Sequence, residues 1–210
     1  MRPGGRFITL EGGDGSGKST QARRLADRLR AAGRTVVSTR EPGGSPLAER
    51  IRETILAERP VAPEAEALLF AAARADHIAV TIQPALAAGA FVVCDRFFDS
   101  TAVYQGVLAG IDRQLIACLR THTVGDCVPD LTLVLDIDVA AARLRAQARG
   151  ALSRFDAADT TSREIVRQGF LEIAAREPNR CAVIDASQDA DAVAVAIWAE
   201  VSRRLGLGDT

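Results

Sequence analysis

The run Gly12-Gly13-Asp14-Gly15-Ser16-Gly17-Lys18-Ser19 fits the pattern G-x-x-x-x-G-K-[ST] at every fixed position. Before it, Arg6-Phe7-Ile8-Thr9-Leu10-Glu11 reads as a short buried strand. After it, residues 18–32 place Ala22, Leu25, Ala26 and Leu29 at helical spacing, and Gly33 stands where a helix stops. Strand, glycine loop and helix in that order build a phosphate cradle. Glycines let successive backbone N–H groups turn inward without Cβ clashes, and the helix start adds unpaired N–H groups. The expected contacts to a nucleoside triphosphate run over Gly12, Gly13, Asp14, Gly15, Ser16, Gly17, Lys18, Ser19 and Thr20. Lys18 reaches the β- and γ-phosphates, and the Ser19 hydroxyl helps to hold Mg²⁺.

Composition narrows the class further. A chain of 210 residues with 48% apolar content suits one α/β domain with room for a short insertion. A formal net charge of −1 gives no sign of a nucleic-acid surface. Arginine supplies 25 of the 26 basic residues, and the lone lysine is Lys18. Cys94, Cys118, Cys127 and Cys181 are scattered without a C-x-x-C pair, so buried reduced thiols are expected. No run approaches the roughly 18 apolar residues of a membrane span, and residues 1–5 lack a signal-peptide core. The expectation is a cytoplasmic protein without membrane contact.

Further strands are expected at 35–39, 90–95, 131–136 and 181–185, alternating with helices. The implied fold is α/β, a three-layer P-loop NTPase fold with a five-stranded parallel sheet flanked by helices. Ser45 or Pro46 begins a helix through Leu56 with Leu47, Ile51, Ile55 and Leu56 on one face. A long helix over 64–88 turns Leu68, Leu69, Ala72, Ala75 and Ile78 inward, with Pro84 kinking or splitting it. Asp138 caps a helix over 139–149, and Ser162 caps another reaching Arg176. Between them, 150–161 is polar and reads as a mobile lid.

On the residues alone the reading stops at an ATP-dependent phosphotransferase. The combination of Glu11 with Gly12–Ser19, Arg40-Glu41-Pro42-Gly43-Gly44, Phe70 with Ala73-Arg74, Asp95-Arg96 and Tyr104-Gln105-Gly106 resembles bacterial thymidylate kinases over nearly the whole chain. The resemblance implies transfer of the γ-phosphoryl of ATP to dTMP, with Mg²⁺, usually in a homodimer. It implies that Arg96 clamps the dTMP phosphate, that Arg40 is a second phosphate contact, and that Pro42 shapes the pocket. Phe70 would stack on thymine and Arg74 would bond its carbonyl edge. Ser100, Thr101, Tyr104 and Gln105 would close the sugar and base side. Asp95, with Ser19, would serve the metal, directly or through water. Asp14 would reach the dTMP sugar or the metal region, or simply form the turn.

Some members of this family carry a catalytic arginine in the phosphate loop, where this chain has Asp14, Gly15 and Ser16. That charge then falls to the lid, to Arg154 first and Arg149 second. Three departures stand out: Phe97 replaces the usual tyrosine or histidine, Asp156 the usual glutamate, and 159–163 lacks aromatics. Two rivals remain open, a kinase for another nucleotide or deoxynucleoside and a nucleotide-driven switch. A guanine-specific switch needs an Asn-Lys-x-Asp motif, which a chain whose one lysine is Lys18 cannot supply.

Overall fold

The structure is a computed structural model and describes residues 4–57, 61–148 and 159–207. Strand β1 (Arg6–Glu11) lies at the centre of a sheet ordered β2-β3-β1-β4-β5. Its companions are β2 (Val36–Arg40), β3 (Phe91–Asp95), β4 (Leu131–Asp136) and β5 (Cys181–Asp185), every pairing parallel. Both faces of β1 are covered, so alternation sends its side chains into two different cores. Ile8 and Leu10 pack with Leu25 and Leu29 of α1 (Lys18–Ala31) and Ile197 and Val201 of α9 (Ala190–Leu205). Phe7 faces the opposite layer with Ile78, Ile82 and Leu86, and by the two-residue period Thr9 and Glu11 face that way too.

The register sets the functional edge. Leu10 and Arg40 both lie opposite Asp95, so the ends of β1, β2 and β3 come out side by side. The chain passes from one flank of β1 to the other between β3 and β4, and ligands bind at such switch points.

Several helices depart from the sequence reading. In α2 (Pro46–Leu56), Ala48 and Ile55 are buried, while Leu47 and Leu56 are exposed. The long helix is split as Pro84 suggested: α3 (Pro63–His77), a π-turn (Ile78–Ile82) and α4 (Gln83–Ala87). A proline ring collides with the carbonyl four residues back and lacks an N–H, and the widened turn before it removes that conflict. The phase of α3 is also corrected. It buries Ala67, Ala71, Arg74 and His77, leaving Leu68 52% exposed and Ala72 and Ala75 in solvent. Because α3 is apolar nearly all round, its pattern did not fix a face; two paired polar groups did.

Between β3 and β4 the chain forms α5 (Phe98–Thr101), a second π-turn (Ala102–Leu108) and α6 (Arg113–Val124). Asp138 caps α7 (Val139–Ala148), accepting from Ala140 N at 2.8 Å. Helix α8 (Thr160–Arg176) is capped by Asp159, not Ser162; Asp159 accepts from Ser162 N at 2.7 Å. Residues 160 and 161, given to the lid by the sequence reading, are thus helical, and 150–158 lies outside the described residues. Cys94, Cys127 and Cys181 are buried and Cys118 is exposed; all four are free thiols. Among the described residues, no helix is long and apolar enough to cross a membrane.

Candidate active site

The phosphate loop leaves β1 at Gly12 and enters α1 through Gly17, which takes the left-handed conformation at φ 95°. Gly15 shows why a side chain is excluded. At φ 88°, an added Cβ would stand 2.2 Å from the carbonyl oxygen of Ala142 on α7. Lys18 is buried and donates to Gly13 O at 2.7 Å, spanning the loop. Burial, reinforced by the neighbouring Arg96, pulls its ammonium down to about 8 despite Asp14, Asp95 and Glu11 nearby. Thr20 sits half-buried in the first turn of α1.

Ser19 Oγ donates to Asp95 Oδ2 at 2.5 Å. The other carboxylate oxygen, Asp95 Oδ1, is buried without a hydrogen-bond partner among the described residues. Such an orphan asks for a cation or water. A hydroxyl beside a carboxylate is a fitting donor pair for Mg²⁺, which binds through one or two carboxylates plus substrate phosphates. Consistent with that, the described residues contain no cluster of three or more His, Cys, Asp and Glu that could hold a metal alone.

A cleft of about 470 Å³ opens beside the loop. Asp14, Lys18 and Ser19 line one side, and Arg40, Pro42, Phe70, Arg74, Asp95, Arg96, Ser100, Thr101, Tyr104 and Gln105 line the rest. Residues from three strand ends, α3, α5 and the second π-turn therefore converge on one space. Gly12, Gly13 and Ser16 do not line this cleft; Gly12 and Gly13 line a smaller cavity with Ser162 and Arg163 at the start of α8 and Phe170 further along it.

Arg96 is the only non-glycine residue with positive φ among the described residues, at 70°. Its Nη1 donates to Ser100 Oγ (3.0 Å) and Gly12 O (3.2 Å), and its Nη2 pairs with Asp14. Tyr104 lies under the guanidinium, 5.2 Å from ring centroid to Cζ. Burial would lift the Asp14 carboxyl, yet Arg96, Lys18 and Arg163 together hold it below the ordinary range. Arg96 itself is raised, since the surrounding negative groups outweigh its burial.

Arg74 is fixed from two directions. Nε donates to Glu41 Oε2 at 2.8 Å, and Nη2 donates to Thr101 Oγ1 at 2.9 Å and Phe97 O at 3.3 Å. Nη1 makes no hydrogen bond among the described residues, and Arg74 lines the cleft. Glu41 is the anchor, since Oε1 also meets His77 Nδ1 at 3.0 Å while His77 Nε2 meets Thr39 Oγ1 at 2.7 Å. His77 is thus a satisfied core histidine. Gln105 donates to Glu66 Oε1 at 2.9 Å, which holds the second π-turn to α3.

Other singled-out residues sort plainly. Arg40 faces the cleft but is paired with Glu49 at 3.0 Å in a half-exposed bridge, an arrangement that exchanges partners cheaply. The Phe97 ring is fully buried, edge-on to Phe7 at 4.9 Å, while the residue also contributes to the cleft lining. Asp136 is held by Arg167 at 2.7 and 3.0 Å, and Asp185 caps its own turn at Ser187 N. Arg149 and Arg154 lie outside the described residues.

Sequence reasoning missed two groups here. Arg52 lines the cleft and donates to Pro42 O at 2.7 Å, with burial and then Arg40 lowering its pKa. Its seven-residue spacing from Ser45 put it on the same side of α2 as the loop, a signal that was present. Glu11 is fully buried. Its Oε1 accepts from Phe97 N (2.8 Å) and Ser100 N (3.3 Å), and its Oε2 meets Ser100 Oγ at 2.6 Å. Burial, with Asp99 adding to it, pushes the Glu11 carboxyl up to about 8. Behind it, Asp99 is locked to Arg180 at 2.7 and 3.0 Å, which fastens α5 to the sheet.

A parallel sheet with a glycine phosphate loop, a paired hydroxyl and carboxylate for a divalent cation, and a second cationic pocket in line define a phosphate-loop phosphotransferase with a separate acceptor site. The thymidylate kinase family model matches residues 10–197. The chain is 54% identical over 206 residues to the thymidylate kinase of Caulobacter vibrioides, covering 97% of this chain and 99% of that one. With the enzyme of Nitrobacter winogradskyi it shares 50% over 210 residues, 98% and 91% of the two chains. The crystal structure of thymidylate kinase from Ehrlichia chaffeensis superposes with a TM-score of 0.77 at 36% identity, covering 95% of this chain and 99% of that chain. This chain belongs to the thymidylate kinase family, nucleoside monophosphate kinases that phosphorylate dTMP to dTDP with ATP.

Proposed function

We propose that the single cleft houses both substrates and that its residues divide the work as follows. The loop 12–19 and Thr20 hold the ATP phosphates, with Lys18 on the β- and γ-groups. Ser19 and Asp95 would hold Mg²⁺, which when bound neutralises phosphate charge. Arg96 takes the dTMP phosphate, and Arg40 joins it after leaving Glu49. Arg74 Nη1 bonds the thymine carbonyl edge while Phe70 covers the ring, and Tyr104 and Gln105 close the sugar side. Asp14 stays ionised beside Arg96 and keeps that guanidinium aimed between the substrates. The observation that carries this reading is the continuity of the cleft from Lys18 to Arg74 past Arg96.

Two polyanions meet here, so further positive charge is needed as the phosphoryl group moves. With no arginine in the loop, Arg154 of the lid supplies it, with Arg149 as the alternative. Arg154→Ala should mainly lower kcat, and an unchanged kcat transfers the role to Arg149. The whole chain serves as one kinase domain with that lid inserted. Two copies pair through α3 and the first π-turn, where Leu68, Ala72, Ala75 and Val80 form an exposed apolar stripe; sedimentation equilibrium reads the outcome. The site is that of a cytoplasmic nucleotide enzyme, with no nucleic-acid partner.

The decisive assay is ADP release from ATP·Mg²⁺ with dTMP, dUMP, dGMP, dCMP, AMP or no acceptor. Strong turnover with dTMP, less with dUMP and little otherwise is expected. Turnover with a different acceptor discards the roles of Phe70 and Arg74, and acceptor-independent hydrolysis discards the division of labour altogether.

A further inference from the structure

A buried carboxyl group is costly unless something specific holds it, and Glu11 makes no ion pair among the described residues. What it does make is a clamp on the segment that follows Arg96. Oε1 takes the Phe97 and Ser100 N–H groups, and Oε2 meets the Ser100 hydroxyl at 2.6 Å. Ser100 Oγ in turn accepts from Arg96 Nη1 at 3.0 Å. The chain of contacts therefore runs from β1 through a carboxyl and a hydroxyl to the guanidinium.

The backbone gives an independent reason for such a clamp. A left-handed arginine is strained, and strain of this kind persists only where the surroundings over-determine it. Arg96 N is tied to Leu10 O at 3.0 Å on one side. On the other side Glu11, the residue next to Leu10, grips the very next N–H. Both ends of the unusual turn are thus fastened to two consecutive residues of one strand. Two readings compete: a plain cap for the short helix α5, or a device that aims Arg96. The cap reading accounts for the two N–H bonds but not for the hydroxyl relay to Nη1.

We infer that Glu11 is a positioning residue for acceptor-phosphate capture, holding Arg96 in its left-handed turn and setting the Ser100 hydroxyl against the guanidinium. This rests on the reading of Arg96 as the dTMP phosphate clamp. The quantity that isolates it is the phosphate increment, the ratio of thymidine to dTMP dissociation constants, measured calorimetrically alongside the ATP dissociation constant. Glu11→Ala should shrink the increment about tenfold or more, the scale of a charge-assisted contact, with thymidine and ATP affinities within about threefold of the parent. Glu11→Gln retains an oxygen for the two N–H groups and puts an amide donor where Oε2 accepted the Ser100 hydroxyl, a contact Ser100 Oγ keeps by turning its own hydrogen away, so the increment should stay within about threefold.

If Glu11→Ala does not fold, Glu11→Asp, which withdraws the carboxyl by one methylene, should show the same selective loss. An unchanged increment in Glu11→Ala or Glu11→Asp overturns the inference, as does a parallel loss of thymidine, dTMP and ATP affinity. Arg96→Ala separates the two layers. If it collapses the increment while the Glu11 variants do not, only the inference falls; if it leaves the increment intact, the Arg96 reading falls and takes the inference with it.

Discussion

Gly44→Ala should damage the acceptor site without touching it. Gly44 sits at φ 86°, where an alanine costs about 1 kcal/mol on conformational grounds alone. Its new Cβ would lie 2.3 Å from His77 Nε2 and 2.4 Å from Thr39 Oγ1, so both partners must withdraw by about 1 Å to reach ordinary contact. His77 is fully buried and held at both ring nitrogens, leaving it nowhere to go without breaking a hydrogen bond. An unsatisfied buried polar group adds about 1–3 kcal/mol, for a total of roughly 2–4 kcal/mol. In a chain of this size that is a fall in Tm of roughly 5–15 °C. The disturbance passes through Glu41 to Arg74, so KM for dTMP should rise about tenfold while KM for ATP holds. Differential scanning calorimetry and steady-state kinetics read both. A Tm within 1 °C of the parent (about the reproducibility of a scan, far below the shift computed above), or equal losses for both substrates, would refute the coupling.

Three further outcomes follow from the same geometry. Arg96→Ala should lower kcat/KM for dTMP by about 100-fold, seen in steady-state kinetics, because Arg40, held by Glu49, replaces only part of the lost charge-assisted contact. Asp95→Asn should raise the Mg²⁺ concentration needed for half-maximal rate about tenfold, and Mn²⁺ titration followed by electron paramagnetic resonance should show the matching loss of metal affinity in the ATP complex. Lys18, depressed to about 8 from 10.5, is largely uncharged in the free enzyme above pH 8 and is recharged by a bound triphosphate. ATP binding should therefore take up a proton at pH 8.5 but not at pH 6.5, as calorimetry in buffers of different ionisation enthalpy will report. For the same reason this group makes stability rise with pH between about 8 and 10.5, where the unfolded chain holds the extra proton.

The phosphate loop and all five strands were legible because their signals are local: glycines at fixed offsets, and apolar runs ending in charge. Arg96, Asp95 and Ser19 could be brought together on paper for the same reason, since parallel strand ends share one edge. What escaped was set by distant partners. The inward face of α3 is chosen by Arg74 and His77 because Glu41, more than thirty residues earlier, satisfies both. Glu11 looked like the last residue of a strand, and only the fold of α5 above it reveals three contacts. The π-turn at Ile78–Ile82 was invisible except through Pro84, and the cap at Asp159 was hidden by an equally good candidate at Ser162.

Lys18 is the only lysine in the chain. A side-chain amine that titrates near pH 8 keeps a larger neutral, nucleophilic fraction at neutral pH than an ordinary lysine, and no other side-chain amine in this sequence competes for an acylating reagent, although the exposed Cys118 thiol does. Within this sequence, labelling at side-chain amines is thus confined to the phosphate loop. The mass of the labelled tryptic peptide 7–23 would count occupied loops directly, and protection by ATP, ADP or dTMP would footprint each ligand without a radioactive or coupled assay.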